Sequence, residues 1–389
     1  MTGIQMQNYL KSKVAYYNNI FSWFENKIES LEKDKNTHKE FLIFVRRRIV
    51  ELKRDTQRLE VIASVRIPSF QNSGIRNIHV LESEINNLTI FYLSTLQREN
   101  SQDVFIRNVI LNLKERYKLT WINDIFARSD SSYATWLGFE DYPIFYLPPQ
   151  QEISLHDIPA IYHEIGHNIF VHYPEIADNL NQCVFDYFQN LKQNTSQMAP
   201  DKVKNRNQEI NYAIKYWNIS RLNELFSDVY ATYLCGPAYH HLWVDMTFRT
   251  GSNPFLINPC DEHPPMATRV QVCFETLTPI YKNDGLINNQ RSLWMGFISK
   301  QPKIPEFDLF CNEQLIKNLV DESIKNIERL FPHIHRYNQL FENFQESDEI
   351  IALSRFDEIV NYWTKLILTS SKDAEKWEIR VLNKLKKQM

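Results

Sequence analysis

Residues 158–175 read IPAIYHEIGHNIFVHYPE and contain the pattern His-Glu-x-x-His. His163 and His167 are four residues apart, so on an α-helix they lie on one face, one turn apart. Two imidazole nitrogens can then reach one metal ion, and Glu164 can reach a water in an open position of that metal. Asp157 and Pro159 predict the start of this helix. The alternative is a half-buried helix whose histidines bind nothing.

A second segment, RLNELFSDVYATYL at residues 221–234, is helical in pattern and carries two acids at the same four-residue spacing. Glu224 is the candidate third protein ligand, which would leave one position of a tetrahedral zinc for water. Asp228 could accept the free ring N–H of a ligating histidine and fix its orientation. The alternative is an acid pair that faces solvent.

A third segment, DEHPPMATRV at residues 261–270, combines a rigid turn with the start of a helix. His263 could donate a hydrogen bond to the oxyanion of a tetrahedral intermediate. Arg269, further along that helix, could hold a substrate carbonyl or anchor a carboxylate of the site. A simple turn at a helix start is the alternative interpretation.

The remaining candidates are histidines and one tyrosine near these segments. His172 falls about 140° away from the ligand face of its helix, which favours a packing role. His240 and His241 are alternative candidates for the third metal ligand in case Glu224 does not bind the metal. Tyr239 is a second candidate for oxyanion donor, and His156 is expected to make local contacts.

In this order the three segments resemble the zinc metallopeptidases typified by HtpX and the CAAX prenyl protease, over about residues 142–274. That family shows His-Glu-x-x-His, Glu-x-x-x-Asp and His-Pro-x-x-x-x-Arg, which this chain matches as HEIGH, ELFSD and HPPMATR. This chain departs from the family in having neither a membrane span nor a signal peptide, and in having Ser227 before the aspartate. The resemblance implies a zincin-type fold that binds one Zn²⁺ through His163, His167 and Glu224. It also implies Glu164 as general base, with His263 and Arg269 as transition-state or substrate contacts.

Composition favours a helix-rich protein. Hydrophobic residues make up 43% of the 389 residues and aromatic residues 13%, enough for a sizeable core, while only 8 residues are glycine. A chain with few glycines and many good helix formers is more typical of helical folds than of barrels or sandwiches. We therefore predict a mainly α protein with a small β-sheet (α+β), in which a zincin-like core is flanked by N- and C-terminal helical regions.

Three regions are predicted along the chain. Residues 1–115 form a helical region that begins with an antiparallel hairpin, and a third helix runs from Leu81 to Glu99 after a break in the pattern at residues 66–77. Residues 116–300 form the metallopeptidase domain, and residues 301–389 a C-terminal helical region with an apolar stripe.

Within the metallopeptidase domain, Ile144 to Leu147 is a predicted strand along whose edge an extended substrate could pair. Residues 194–208 are predicted as a polar loop or helix connection. One helix is predicted from Ile210 to Leu234, ending before Gly236-Pro237.

Net charge and cysteine usage restrict which partners and which cellular compartment are expected for the protein. With 44 basic and 47 acidic residues the formal charge is −3, which argues against nucleic acid. The short basic run at residues 46–48 is expected to be a solvated face. The five cysteines are widely spaced and odd in number, as expected of reduced thiols. Without a signal peptide or a membrane span, the protein is predicted to be cytoplasmic.

These observations predict a zinc-dependent endopeptidase in which Glu164 is the general base on the attacking water. Its partners would be a protein or peptide substrate and a regulatory partner that binds the helical regions and keeps the enzyme latent until triggered. Two alternatives remain. The chain could be a zinc-stabilised binding scaffold without turnover, or a zinc hydrolase of small amides or esters.

Overall fold

The computed structural model describes residues 3–33, 38–65, 67–98, 101–129, 134–136, 142–146, 154–195, 200–334, 336–338, 355–369 and 371–387. Helices dominate these residues, and the strands are few and short, which confirms a mainly α protein with a small sheet. The first part of the chain contains α1 (Gly3–Glu32), α2 (Lys39–Ser64), α3 (Pro68–Asn86), a π-helical segment (Asn87–Leu93), α4 (Ser94–Arg98), α5 (Ser101–Arg116), β1 (Phe126–Arg128), β2 (Ala134–Trp136) and β3 (Ile144–Tyr146).

Among the described residues of the second part, all regular secondary-structure elements are helices. It contains α6 (Pro159–His172), α7 (Pro174–Thr195), α8 (Pro200–Tyr216), α9 (Ile219–Cys235), α10 (Pro237–Thr250), α11 (Met266–Tyr281), α12 (Gly285–Ile298), α13 (Phe307–Phe310), α14 (Glu313–Leu330), α15 (Phe356–Thr369) and α16 (Ser371–Lys386). No helix among the described residues is long and apolar enough to cross a lipid bilayer.

The chain forms two compact units. One comprises Met1–Val104, Thr120–Arg128 and Trp136–Ile144, and the other comprises Phe105–Leu119, Ser129–Thr135 and Phe145–Met389. The predicted division at residues 115 and 300 remains a prediction. All residues of the candidate site belong to the second unit.

In the first unit, α1 and α2 form the predicted antiparallel hairpin. Glu32 at the end of α1 pairs with Arg46 near the start of α2 at 2.6 Å, and Glu25 pairs with Lys53 at 2.7 Å. Ion pairs whose positions run in opposite directions along the two helices establish the antiparallel arrangement. The connection at residues 34–37 lies outside the described residues.

The predicted break at residues 66–77 was wrong for most of that segment. Ile67 is extended, and Pro68 occupies the first turn of α3, where its missing N–H costs nothing. The proline therefore begins a helix, and the third helix starts 13 residues earlier than Leu81. Its predicted end, Glu99, lies outside the described residues.

In the second unit, α6 packs against α9, and Gly166 sets the distance between them. A Cβ atom at Gly166 would lie 2.8 Å from the Ser227 Cα atom of α9. That is a contact with backbone, which cannot rotate away as a flexible side chain would. The glycine in HEIGH therefore allows the two helices that carry the candidate ligands to approach closely.

Replacing Gly166 by Ala should destabilise the protein by about 1–3 kcal/mol, because the overpacked helices must separate. Gly296 on α12 is the matched control, since a Cβ there meets nothing within 4 Å. At that position Ala should stabilise by up to about 1 kcal/mol through helix propensity. Urea denaturation of both variants measures the two effects, and equal effects at the two sites would contradict the close approach.

The predictions for residues 194–234 were partly wrong. Helix α7 reaches Thr195, and α8 already begins at Pro200, so the predicted loop is helical from residue 200 onward. The predicted single helix is interrupted at Asn218, which has an extended backbone and accepts a hydrogen bond from the Arg221 N–H as the N-cap of α9. Residues 196–199 lie outside the described residues.

Gly236 separates α9 from α10. Its φ of 63° and ψ of −140° are strained for any residue with a side chain, and a Cβ there would lie 2.7 Å from the Tyr337 ring. Pro237 follows in the first turn of α10. This sharp turn returns the chain so that Tyr239 reaches His163 of α6.

The sheet differs from the prediction in one respect. Its strand order is β1-β3-β2, so β3 at Ile144–Tyr146 is the central strand. Both of its sides are hydrogen-bonded to neighbouring strands, which makes the predicted capture of a substrate along its edge wrong. Leu147, the predicted last residue of the strand, lies outside the described residues.

Toward the C-terminus, the predicted apolar stripe lies on α14. Leu315, Leu319 and Ile327 are buried, while Ile324 and Leu330 are half-buried.

Candidate metal centre

Helix α6 presents the first three candidate residues together. Nitrogen atoms of His163 and His167 and an oxygen of Glu164 all lie within 4.8 Å of one another. His163 and Glu164 are buried, and His167 is half-buried. The predicted capping role of Asp157 was wrong, because Ile158 occupies the N-cap position and makes no side-chain cap. The proline in the first turn supplies the helix start instead.

Helix α9 brings Glu224 to both histidines. Its Oε2 atom lies 3.3 Å from Nε2 of His163, and its Oε1 atom lies 3.3 Å from Nε2 of His167. Glu224 is 8% exposed, and although no hydrogen bond of good geometry reaches Oε2 among the described residues, the Arg269 guanidinium lies 3.1 Å from that oxygen. A buried carboxylate oxygen without a hydrogen bond is costly unless a cation compensates it.

The contacts behind His163 determine which of its nitrogens is free. Nδ1 lies 3.1 Å from Asp228 Oδ1 and 2.9 Å from the Tyr239 hydroxyl, which itself donates to Asp228 at 2.5 Å. Because the tyrosine proton goes to the aspartate, Nδ1 of His163 carries a proton toward this pair, and Nε2 is the nitrogen that faces Glu224. Asp228 therefore contacts the ring nitrogen of His163 that faces away from Glu224, and its role behind a metal-ligating histidine remains a prediction.

His167 is oriented by different groups from the same helix α9. Its Nδ1 atom lies 3.0 Å from Asn223 Oδ1 and 3.1 Å from Ser227 Oγ. The amide oxygen accepts the Nδ1 proton, and Nε2 of His167 likewise faces Glu224. Neither Asn223 nor Ser227 was predicted to contribute to the site.

Arg269 of α11 is buried against the acids of α9. Its Nε and one terminal nitrogen donate to the two oxygens of Asp228 at 2.7 Å each, and that terminal nitrogen lies 3.1 Å from Glu224 Oε2 and 3.3 Å from His163 Nε2. The guanidinium carbon is 3.7 Å from the centre of a Trp243 ring, a cation–π contact. Of the two predicted roles, the geometry favours anchoring a carboxylate over holding a substrate.

The charges of this cluster shift its pKa values. Burial alone would lower the pKa of His163, but its hydrogen bonds to Asp228 and Glu224 outweigh burial and raise the pKa to about 9. Burial would raise the pKa of Glu224 and of Asp228, but the charge of Arg269 and contacts with His163 lower both pKa values. Both carboxylates are therefore ionised at neutral pH.

His263 lies at the exposed rim of the cluster. Its side chain is 54% exposed, and its Nε2 atom is 3.6 Å from Glu224 Oε1. Asp261 orients the ring by accepting hydrogen bonds from Nδ1 at 2.8 Å and from the His263 backbone N–H at 3.0 Å. The structure thus brings His263 to the candidate ligands with Nε2 on their side.

Arg221 fixes the turn that carries His263. Its guanidinium donates to the backbone carbonyls of Asn258 at 3.1 Å, Pro259 at 3.0 Å and Asp261. Arg221 is 2% exposed and lies on α9, one turn before Glu224. One side chain therefore couples the helix of the third candidate ligand to the His263 turn. Sequence reasoning missed this residue, because a carbonyl-binding arginine leaves no spacing pattern.

Replacing Arg221 by Lys should loosen this turn, because an ammonium group cannot reproduce the planar fork of the guanidinium. With several hydrogen bonds of about 1 kcal/mol each lost, amide exchange in residues 258–263 should accelerate about tenfold or more. Hydrogen–deuterium exchange measures this directly. Arg249→Lys on the exposed end of α10 is the matched control, and equal exchange in the two variants would contradict the coupling.

The other histidines do not join the cluster. Gln290 accepts from His240 Nδ1 at 3.1 Å and donates to His241 Nδ1 at 3.0 Å, so both rings are held by α12. His156 lies 3.0 Å from Asp245, and the His172 ring contacts Tyr173. The group of three candidate ligand residues found among the described residues, His163, Glu164 and His167, includes neither His240 nor His241, and Glu224 joins it only through its distances to the two histidines.

Comparison with known proteins adds nothing to this geometry. No family model, curated protein or solved structure matches the chain. The resemblance to HtpX and the CAAX prenyl protease therefore rests on the three motifs alone, and the assignment of a function rests on the arrangement of the side chains.

Proposed function

We propose that this protein is a zinc-dependent endopeptidase with a zincin-like core built on α6 and α9. The observation that carries the proposal is the pair of 3.3 Å distances from the Glu224 oxygens to the Nε2 atoms of His163 and His167. Zinc binds such nitrogen and oxygen atoms at about 2.0–2.2 Å, and tetrahedral geometry then separates two ligand atoms by about 3.4 Å. The spacing therefore fits a zinc ion.

The donor set also matches catalytic rather than structural zinc. Two histidines and one glutamate are three protein ligands, and catalytic sites of this composition keep the fourth position for water. The position of the Glu224 carboxylate between both Nε2 atoms supports its assignment as a ligand, and the Nδ1 contacts of both histidines are the outer hydrogen bonds that metal-binding imidazoles commonly make.

When bound, zinc would act as a Lewis acid that makes a water nucleophilic at neutral pH and polarises the substrate carbonyl. Glu164 follows the first ligand in the chain and is assigned as the general base. Its carboxylate takes a proton from the attacking water and then passes it to the leaving amine. His263, whose Nδ1 donates to Asp261, donates from Nε2 to the oxyanion in the protonated form of its ring.

Arg269 and Tyr239 are assigned positioning roles in this proposal. Arg269 neutralises Asp228, and the Tyr239 hydroxyl bridges Asp228 and His163. A hydroxyl already engaged by two partners is less available to an oxyanion than the exposed Nε2 of His263.

Partners and regulation remain part of the proposal. The substrate is a protein or peptide in the cytoplasm, and nucleic acid is not a partner. In the N-terminal hairpin, Arg46 and Arg48 pair with acids of neighbouring helices, so these cations of the basic run are neutralised. A regulatory partner would bind the helical regions and activate the enzyme, which is otherwise latent.

Mass-spectrometric comparison of protein N-termini in host cells expressing wild type or Glu164→Gln tests the function. New termini that appear only with the wild type are expected and would name the substrate. If no termini differ while both proteins hold zinc and wild type cleaves small amides or esters, the small-molecule hydrolase is the better assignment. If the site holds zinc and binds ligands but turns over no substrate, the protein would be assigned as a zinc-stabilised binding scaffold.

Zinc binding should release a proton from His163. In the metal-free protein the pKa of about 9 keeps this ring protonated at pH 7.5, whereas a metal ligand must be neutral. Zinc affinity should therefore rise with pH up to about 9, by up to tenfold per unit. Titration calorimetry at pH 7.5 in buffers of different ionisation enthalpy counts the released protons, and a count of zero would contradict the expectation.

A further inference from the structure

A cavity of about 220 Å³ lies beside Glu164. Its lining includes His163, Glu164 and His263, the groups proposed to carry out the reaction. It also includes Ala160 of α6 and Leu242, Trp243 and Met246 of α10. The cavity therefore joins the reacting groups to a mainly apolar wall.

Helical spacing produces this wall. Ala160 lies four residues before Glu164, so its small side chain shares the face of α6 that carries the proposed base. Leu242 and Met246 are likewise four residues apart on α10 and line the same cavity. The one cation on the lining, Arg269, is paired with Asp228 and packed on Trp243, so it offers little free charge to a ligand.

Trp243 adds one polar group to the apolar wall. Its side chain is 8% exposed, and its indole N–H has no hydrogen-bond partner among the described residues. Buried indole donors usually find an acceptor.

We propose that this cavity is the specificity pocket of the enzyme and receives one leucine-sized aliphatic side chain next to the cleaved bond. Its volume lies below the roughly 300 Å³ at which pockets for complete small ligands begin, so a single side chain fits better than a whole small molecule. This inference rests on the proposed function, because the side chain is placed by a peptide held at the metal.

Binding of hydroxamates, which chelate zinc without being turned over, tests the pocket. N-acetylglycine, N-acetylleucine and N-acetyllysine hydroxamates share one backbone and differ only in the side chain. Calorimetry with the zinc-loaded protein should give a leucine compound that binds about 10- to 100-fold tighter than the glycine compound, from burial of the isobutyl group. The lysine compound should gain less than the leucine compound.

Two substitutions at the half-buried Met246 test whether the preference for the leucine compound arises in this cavity. Met246→Glu places a charge in the pocket and Met246→Trp fills it, and either should abolish the leucine preference, measured as the ratio of leucine-compound to glycine-compound affinity in the same variant. Val171→Glu introduces the same charge at an exposed position of α6 and should leave the preference intact.

The possible results distinguish a failure of the specificity-pocket proposal from a failure of the proposed endopeptidase function. Binding of the glycine compound without any leucine preference would overturn the pocket and leave the open metal position intact. A lysine compound as tight as the leucine compound, or a preference that survives both Met246 variants, would also overturn it. Failure of all three compounds to bind zinc-loaded protein would overturn the proposed function and the pocket with it.

Discussion

Glu164→Gln should abolish peptide hydrolysis while the protein still binds one zinc ion per chain. Glutamine keeps the size of the side chain but cannot take a proton from water, and a positioned general base contributes about 10²–10⁴-fold to the rate. Glu164 is 5% exposed and lines the cavity beside His163, so bulk water cannot easily replace it. Cleavage of a quenched peptide library, with metal content measured on the same sample, tests both parts.

The matched control is Glu175→Gln, which neutralises a 43% exposed carboxylate side chain in the first turn of α7. Its rate should stay within about twofold of wild type. If Glu164→Gln retained more than a tenth of the wild-type rate, another group would have to be the base.

Asp228→Asn should have the largest effect on stability. Asp228 is fully buried and binds Arg269 through two hydrogen bonds of 2.7 Å. Asparagine removes the anion that binds the guanidinium through two hydrogen bonds, leaving this 3% exposed group only Glu224 at 3.1 Å, and breaking a buried ion pair costs about 3–5 kcal/mol. Because Asp228 also lies behind the His163 ring, zinc affinity should fall about 10- to 100-fold.

Urea denaturation and competitive zinc titration measure these losses. Asp55→Asn is the control, since Asp55 pairs with the exposed Arg58 and should lose less than about 1 kcal/mol. The double variant Asp228→Asn/Arg269→Gln should recover part of the stability, because it no longer buries an unpaired charge. A loss in Asp228→Asn no larger than in the control would contradict the assigned role of the pair.

Local spacing explains what the sequence predicted well. His163 and His167 share a face because the helix repeats every 3.6 residues, and the same rule places Glu224 and Asp228 together on α9. The antiparallel hairpin of α1 and α2 follows from two apolar stripes joined by a short polar segment. Each of these features depends on residues close together in the chain.

Contacts between distant segments explain what was missed. Asn223 and Ser227 became partners of His167 only when Gly166 let α9 approach α6. Spacing along α9 alone could have suggested this polar pair, since they are four residues apart. Trp243 reaches Arg269 because the Gly236 backbone reverses the chain, a geometry that no periodicity encodes.

The position of β3 within the sheet was also predicted wrongly. A three-residue strand such as β3 carries no sign of its neighbours, so sequence could not distinguish a central strand from an edge. Polar composition misled the loop prediction at residues 200–208, because solvated helices such as α8 use the same residues as loops.

Zinc stoichiometry decides whether His163 and His167 hold a metal ion. Wild type, His163→Ala/His167→Ala and the control His172→Ala, whose histidine lies on the same helix, are dialysed against one defined zinc buffer and measured by elemental mass spectrometry. We expect one zinc per chain in wild type and in His172→Ala, and none in the double variant. A wild type without zinc, or a double variant that keeps its zinc, would contradict the account.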